Sequence, residues 1–119
     1  GALLLWPSIN RRGGKITVGQ SEAIQLANHQ NAIFIDTRAP DKFKAGTIAQ
    51  ARNIPAADLA EKAASLPKDK PVIVFCEQGR SSVGAATTLR KQGISGAVSL
   101  ESGMQGWIQA GLPTTTRKG

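Results

Sequence analysis

The sequence alternates short runs of β-forming apolar residues with stretches of helical periodicity, and this alternation limits the possible folds more than any other feature. Pro71–Phe75 is the clearest predicted strand, because Val72–Phe75 are consecutive apolar residues that suit burial on both faces of a sheet. Alternation of strands and helices favours a mostly parallel sheet with helices on both faces. The sequence therefore predicts an α/β fold.

Apolar spacing and turn residues predict the remaining elements. Ser21 is a candidate N-cap of the first helix, and Asp36 is followed by a predicted loop that contains Pro40 and Gly46. The other predicted strands are Lys15–Val18, Ala32–Asp36, Ala51–Ile54 and Ala97–Leu100. The other predicted helices are Ala56–Leu66, Ser82–Gln92 and Gly103–Ala110.

The length of 119 residues corresponds to one compact domain. We assign residues 15–116 to this domain and residues 117–119 to a C-terminal tail. Residues 1–14 are interpreted as a leader, or as the remnant of a truncated membrane anchor followed by a linker. The single cysteine, Cys76, cannot form a disulfide within the chain, so a reducing compartment is permitted.

Fifteen Lys and Arg residues against eight Asp and Glu residues give a net charge of +7, which raises the question of nucleic-acid binding. The basic residues are scattered along the chain. The two Trp and three Phe residues are not interleaved with them as a base-stacking surface requires. We therefore expect no nucleic-acid partner, and the positive charge indicates a general attraction for small anions.

Ala2–Trp6 is an apolar run that is followed by Pro7 and then by Arg11 and Arg12. A membrane-spanning helix needs about 20 apolar residues, so this run cannot cross a bilayer by itself. A signal peptide does not fit, because its basic residues precede its apolar run. A leader and the end of a truncated membrane anchor both stay open. We expect a cytoplasmic protein, held at the cytoplasmic face of a membrane if the anchor exists.

The loop Cys76–Ser82 connects the most buried predicted strand to a predicted helix, at the edge of the sheet where open α/β folds bind ligands. A thiol at this position faces turn N–H groups and the positive end of a helix dipole, which favour the thiolate. Gly79 allows a close turn around the sulfur, and Ser81 or Ser82 is predicted to cap the helix and to offer a hydroxyl. The alternative is a buried structural cysteine at the end of a strand.

Six motifs follow one another along the chain: Ile33–Arg38, Phe43–Ile48, Ala51–Pro55, the Cys-x-x-Gly loop at Cys76, Gly103–Trp107 and Ala110–Pro113. In this order they resemble the single-domain rhodaneses, the thiosulfate sulfurtransferase family. The resemblance extends from about Ile16 to Pro113. It implies a three-layer fold with a five-stranded, mostly parallel sheet and helices on both faces.

The resemblance implies that the Cys76 thiolate attacks the outer sulfur of a donor such as thiosulfate, giving a Cys76 persulfide and sulfite. An acceptor from outside the chain, cyanide or a cellular thiol, then takes this sulfur, because the chain has no second cysteine. Neither a metal nor another cofactor is implied. The implied binding residues, whose backbone amides would surround the negative charge, are Glu77, Gln78, Gly79, Arg80, Ser81 and Ser82.

The chain departs from the family pattern at two positions. Thr47 stands in place of the histidine in the common Gly-His-Ile, and Arg80 is the fifth loop residue where many members carry an arginine as the sixth. Whether Arg80 points into the pocket is therefore left open. A Glu77 carboxylate turned inward would repel a dianionic donor, which favours a neutral or protein-bound persulfide as the donor.

Asp36 and Arg38 follow a predicted strand and are expected to support the site as a structural ion pair or loop anchor. A cysteine phosphatase needs an arginine six residues after its cysteine, where this chain has Ser82. A catalytically idle rhodanese-like binding or regulatory module is the remaining alternative. The presence of both Cys76 and Gly79 favours the sulfurtransferase.

Overall fold

The computed structural model describes residues 16–66 and 69–116. Short 3₁₀ turns, Ala56–Asp58 and Ala63–Ser65, flank the third helix. The elements in chain order are β1 (Thr17–Val18), α1 (Gln20–Gln30), β2 (Ile33–Asp36), α2 (Pro40–Ala45), β3 (Thr47–Ile48), β4 (Arg52–Asn53), α3 (Leu59–Lys62), β5 (Val72–Phe75), α4 (Ser81–Lys91), β6 (Ala97–Leu100), α5 (Gly103–Gln109) and β7 (Thr114–Thr115).

Five parallel strands form the central sheet, in the order β1, β6, β5, β2 and β4. The middle strand is β5, and all four of its apolar side chains are buried. Because side chains alternate along a strand, Val72 and Val74 pack on one face while Ile73 and Phe75 pack on the other. The parallel sheet confirms the predicted α/β fold.

Helices supply the second and third layers. Leu26 of α1 and Trp107 of α5 lie in the same core layer as Phe75. Leu59 of α3 and Leu89 of α4 lie in the opposite layer. Burial of each such side chain stabilises the fold by roughly 1.5–3 kcal/mol, so these four helices are held to the sheet mainly by their apolar faces. The three-layer arrangement is as predicted.

The prediction of a continuous loop after Asp36 is wrong. Pro40 occupies the first turn of α2, where its missing N–H group costs no helical hydrogen bond. The next residues form β3, which pairs antiparallel with β7 and places Thr47 opposite Thr115. Strands of two residues are too short to show the alternation from which strands are predicted.

Two helix predictions also need correction. The predicted helix Ala56–Leu66 is interrupted, because 3₁₀-type hydrogen bonds such as that from the Leu66 N–H to the Ala63 carbonyl replace the α-helical pattern at both ends. Ser21 is not an N-cap. The chain turns into α1 directly after β1, so Gly19 is the N-cap and Ser21 already lies in the first turn.

The strands of the central sheet all run in one direction, so their carboxyl ends meet at one edge. Asp36 at the end of β2 lies opposite Phe75 at the end of β5, and Val74 lies opposite Ser99 of β6. The loops that follow β2, β5 and β6 therefore meet at this edge. Cys76 is the first residue after β5, which places it at the centre of this edge.

Within residues 16–66 and 69–116, none of the helices is both long and apolar enough to cross a membrane. The apolar run Ala2–Trp6 and the rest of the predicted leader, residues 1–14, lie outside these ranges. The predicted tail, residues 117–119, also lies outside them.

Candidate active site

Cys76 lies in the turn between β5 and α4, and only 6% of the residue is exposed. It lines an open cavity of about 180 Å³ together with Glu77, Gln78, Arg80 and Ser81. The sulfur is therefore largely removed from bulk water but borders a space that a small reactant can enter.

Hydrogen bonds converge on the Cys76 sulfur. The Gly79 N–H donates to Sγ over 3.1 Å, and the Ser82 Oγ lies 3.4 Å from it. Burial by itself raises the pKa of the thiol, but hydrogen bonds from the side chains of Ser81 and Ser82, and from the backbone N–H groups of Ser82 and Gly79, lower the pKa of Cys76 to about 7. A substantial fraction of the sulfur is thus a thiolate, the nucleophilic form, at neutral pH.

Two backbone hydrogen bonds join the start of α5 to the cysteine loop. The Met104 N–H donates to the Cys76 carbonyl over 2.8 Å, and the Gln105 N–H donates to the Glu77 carbonyl over 3.0 Å. These bonds satisfy the Cys76 and Glu77 carbonyl groups as acceptors. The two peptide groups are therefore held in place by α5.

Two glycines allow this close approach of the loop and α5. Gly79 has a φ of +89° and Gly103 a φ of +55°, backbone conformations that favour glycine. A Cβ atom at Gly103 would meet the Cys76 carbonyl oxygen and would lie 2.7 Å from the Gly79 nitrogen. The sequence places Gly79 in the loop, but no sequence pattern predicts that Gly103 packs against it.

Asp36 and Arg38 form an ion pair beside the cysteine loop. Arg38 binds the buried Asp36 carboxylate through Nε and Nη2, over 3.0 and 2.8 Å. The Thr47 hydroxyl donates to the same carboxylate over 2.9 Å. The third Arg38 nitrogen, Nη1, lies 3.2 Å from Oε1 of Glu77. Burial opposes the charge of Arg38, but its hydrogen bonds to Asp36 and Glu77 raise its pKa.

The ion pair fixes two loops relative to each other and sets the direction of Glu77. The Glu77 carboxylate is drawn toward Arg38, and its side chain is 46% exposed. A Glu77 carboxylate turned toward the sulfur would repel an anionic donor. The pairing with Arg38 therefore reduces this repulsion. Thr47 completes the set of donors to Asp36, so the position that carries histidine in the family's common motif serves the ion pair here.

Arg80 is exposed and lies at the mouth of the site. Together with Gln78 it also lines a neighbouring polar groove of about 360 Å³, whose other walls include Ser102, Gln105 and Gln109. The cavity at Cys76 and this groove therefore share two residues, and Arg80 can contact an anion in either.

The predicted role of Ser81 or Ser82 as a side-chain cap of α4 is wrong. Arg80 is the N-cap residue of α4 and makes no side-chain capping bond, and the helix begins at Ser81. The Ser82 hydroxyl instead lies between the Cys76 sulfur and the hydroxyl of Ser99. A tertiary contact with the sulfur replaces the local bond that the sequence pattern favours.

Sequence reasoning missed two contributors to this site, Ser99 on β6 and the start of α5. The signal for Ser99 is weak but present, because a hydroxyl residue interrupts the otherwise apolar run Ala97–Leu100. The backbone N–H groups of Met104 and Gln105 leave no signal, since any residue except proline supplies an N–H group.

The pH dependence of Cys76 alkylation follows directly from this geometry. Because the thiolate is the reactive form, the iodoacetamide rate should reach half of its maximum near pH 7. In denaturant the same thiol should reach half of its maximum near its ordinary pKa of 9.0. Labelling measured by intact mass is unambiguous, because the chain has a single cysteine. Equal profiles for the native and denatured chains would contradict the hydrogen-bond arrangement described above.

Comparison with known proteins agrees with this geometry. The rhodanese-like domain family matches residues 19–110. The uncharacterized protein YqhL of Bacillus subtilis is 38% identical over 81 residues, which cover 68% of this chain and 64% of that protein. The thiosulfate sulfurtransferase GlpE of Pseudomonas putida is 34% identical over 98 residues, which cover 82% of this chain and 88% of that protein.

The fold is also similar to a solved structure, a rhodanese-related protein from Thermoplasma volcanium. The TM-score is 0.73 at 32% identity, over 84% of this chain and 97% of that chain. This chain spans slightly less than two thirds of the length of the Bacillus subtilis relative. Because the family match includes four of the five strands of the central sheet, the cysteine loop and α5, the chain belongs to the rhodanese-like domain family.

Proposed function

We propose that the protein is a sulfurtransferase that carries a sulfane sulfur on Cys76. With thiosulfate as donor, the Cys76 thiolate attacks the outer sulfur and a new Sγ–S bond forms. The bond between the outer sulfur and the sulfonate sulfur breaks, and sulfite leaves with that electron pair. In the second step cyanide or a thiolate attacks the outer sulfur of the persulfide, and Cys76 leaves as a thiolate.

The observation that carries the proposal is the set of hydrogen bonds to the Cys76 sulfur. Negative charge lies on Sγ at the start of the cycle and returns to it at the end. Fixed donors stabilise this charge without a proton transfer, so neither step needs a general base. The rhodanese-like family membership supports the same reaction class.

The partners follow from the surroundings of the sulfur. Arg80 at the mouth of the cavity and the pairing of Glu77 with Arg38 favour an anionic donor, thiosulfate or a persulfide. The acceptor comes from outside the chain, because Cys76 is its only cysteine, and we propose that it is a thiol or cyanide. The polar groove beside the cavity offers amide groups to the part of the donor or acceptor that does not react.

The test is the intact mass of the protein after incubation with thiosulfate, or in a second arm with a small persulfide. We expect a gain of about 32 Da, one sulfur atom, that is removed by a thiol reductant and by cyanide with formation of thiocyanate. Cys76→Ser is the matched control and should gain no mass. If neither donor produces the gain while Cys76 still reacts with iodoacetamide, the proposal is wrong and the idle module is the better interpretation.

A further inference from the structure

Two buried hydroxyl groups lie one behind the other next to the nucleophile. Ser82 on α4 and Ser99 on β6 are both completely buried. Their Oγ atoms are 2.6 Å apart, and the Ser82 Oγ is 3.4 Å from the Cys76 Sγ. Three side chains from three different elements thus form a single hydrogen-bonded row that ends at the reactive sulfur.

The direction of the hydrogen bonds in this row depends on the charge of the sulfur. A thiolate carries no proton, so the Ser82 hydroxyl must donate to it. The single Ser82 proton is then used, and the short bond between the hydroxyls requires Ser99 to donate to Ser82. A hydroxyl that accepts one bond becomes a better donor in the next, so donation by Ser99 strengthens the contact of Ser82 with the anion.

The sheet holds Ser99 in place independently of the cysteine loop. Ser99 is paired with Val74 on one side and Thr17 on the other, and its N–H donates to the Ile16 carbonyl over 2.6 Å. The backbone of Ser99 is therefore fixed by its strand neighbours. Its side chain is left with the Ser82 hydroxyl as partner.

We propose that Ser99 is a positioning residue, which donates its hydroxyl proton to Ser82 and so directs the Ser82 proton at the ionised Cys76 sulfur. Ser99 is not among the residues that line the cavity, its hydroxyl is bonded to that of Ser82, and it acts on the sulfur through Ser82. The inference rests on the proposed function only in taking Cys76 as the nucleophile.

Charged side chains near the sulfur must be distinguished from this hydroxyl row. Glu77 and Arg80 line the cavity with Cys76, and Arg38 from the loop after β2 pairs with Glu77. Asp36 lies at the end of the neighbouring strand and is bound by Arg38. Ser99→Ala leaves all of these charges unchanged, so an effect of this variant on the sulfur cannot come from them.

The experiment measures the iodoacetamide rate of Cys76 against pH in Ser99→Ala. We expect the pH of half-maximal rate to rise by about half a unit, with a rate about threefold lower at pH 6. Val98→Ala is the matched control, because it opens a buried position on the same strand without removing a hydroxyl. It should leave the profile unchanged. Ser99→Thr keeps the hydroxyl and should restore the original profile.

A double-mutant cycle separates the proposed row from a general loosening of the fold. Ser82→Ala alone should raise the half-maximal pH by about one unit, because it removes the direct donor. In the Ser82→Ala background, Ser99→Ala should have no further effect. An unchanged profile in Ser99→Ala, or an equal shift with and without Ser82, would overturn the proposal.

The outcome is independent of the proposed function. Alkylation reports the charge of the sulfur and involves no sulfur transfer. If Ser99→Ala shifts the profile and the unmodified protein gains no sulfur from either donor, the row exists and only the proposed function fails. If the protein gains sulfur but its profile is insensitive to Ser99, only the row is refuted.

Discussion

The Cys76→Ser variant loses at least about a thousandfold in the rate of thiocyanate formation from thiosulfate and cyanide, if the proposed mechanism holds. A serine hydroxyl is a far weaker nucleophile and leaving group than a thiolate, and it cannot form a persulfide. The replacement is nearly isosteric at a buried position, so the fold should persist. Steady-state rates and thermal unfolding curves of both proteins measure these two effects.

The control for this variant is Ser95→Ala, a similar change of volume at an exposed position before β6, at the opposite edge of the sheet from the cysteine loop. It should retain the full rate. If the Cys76→Ser protein retained more than about one tenth of the original rate, Cys76 would not be the nucleophile. If Cys76→Ser loses both the rate and the folded state, the rate is measured on Cys76→Ala, which adds no polar atom to the site.

Gly103→Ala is expected to have the largest effect on stability and to disturb the site as well. Its new Cβ would meet backbone atoms of Cys76 and Gly79, which cannot turn away as a flexible side chain can. The φ of +55° adds strain for any residue with a Cβ atom. We expect a loss of about 2–4 kcal/mol in the free energy of unfolding, measured by urea titration.

The same variant should also change the chemistry of the thiol. Displacement of the loop lengthens the hydrogen bond from Gly79 to the sulfur, so the pH of half-maximal alkylation should rise above 7. Gly84→Ala in α4 is the matched control, because a Cβ there meets open space. It should raise stability by up to about 1 kcal/mol and leave alkylation unchanged. Equal behaviour of the two variants would contradict the described packing of α5 against the loop.

The central part of the fold could be predicted from the sequence because burial there leaves a local signal. Val72–Phe75 is apolar at every position, and this pattern is typical of a strand that is covered on both faces. The small sheet of β3 and β7 leaves no such signal. Its pairing of Thr47 with Thr115 joins distant parts of the chain through two residues each.

In the candidate site, too, some features leave a local signal in the sequence and others do not. The sequence places Cys76 directly after a buried strand, and parallel topology then carries it to the edge where the loops meet. The position of the Ser82 hydroxyl could not be predicted, since a local capping bond and a distant contact with Ser99 compete for it. Only the three-dimensional arrangement decides between them.

The backbone contacts from Met104 and Gln105 make the reactivity of the thiol depend on the last third of the chain. During synthesis, β5 and the cysteine leave the ribosome before the segment that contains Ser99 and the start of α5. In a nascent chain that ends before residue 99, Cys76 should therefore have the pKa of an unperturbed thiol. The pH dependence of its reaction with iodoacetamide should match that of the denatured protein. The activated thiol is a property that the polypeptide acquires only after Ser99 and the start of α5 have been synthesised.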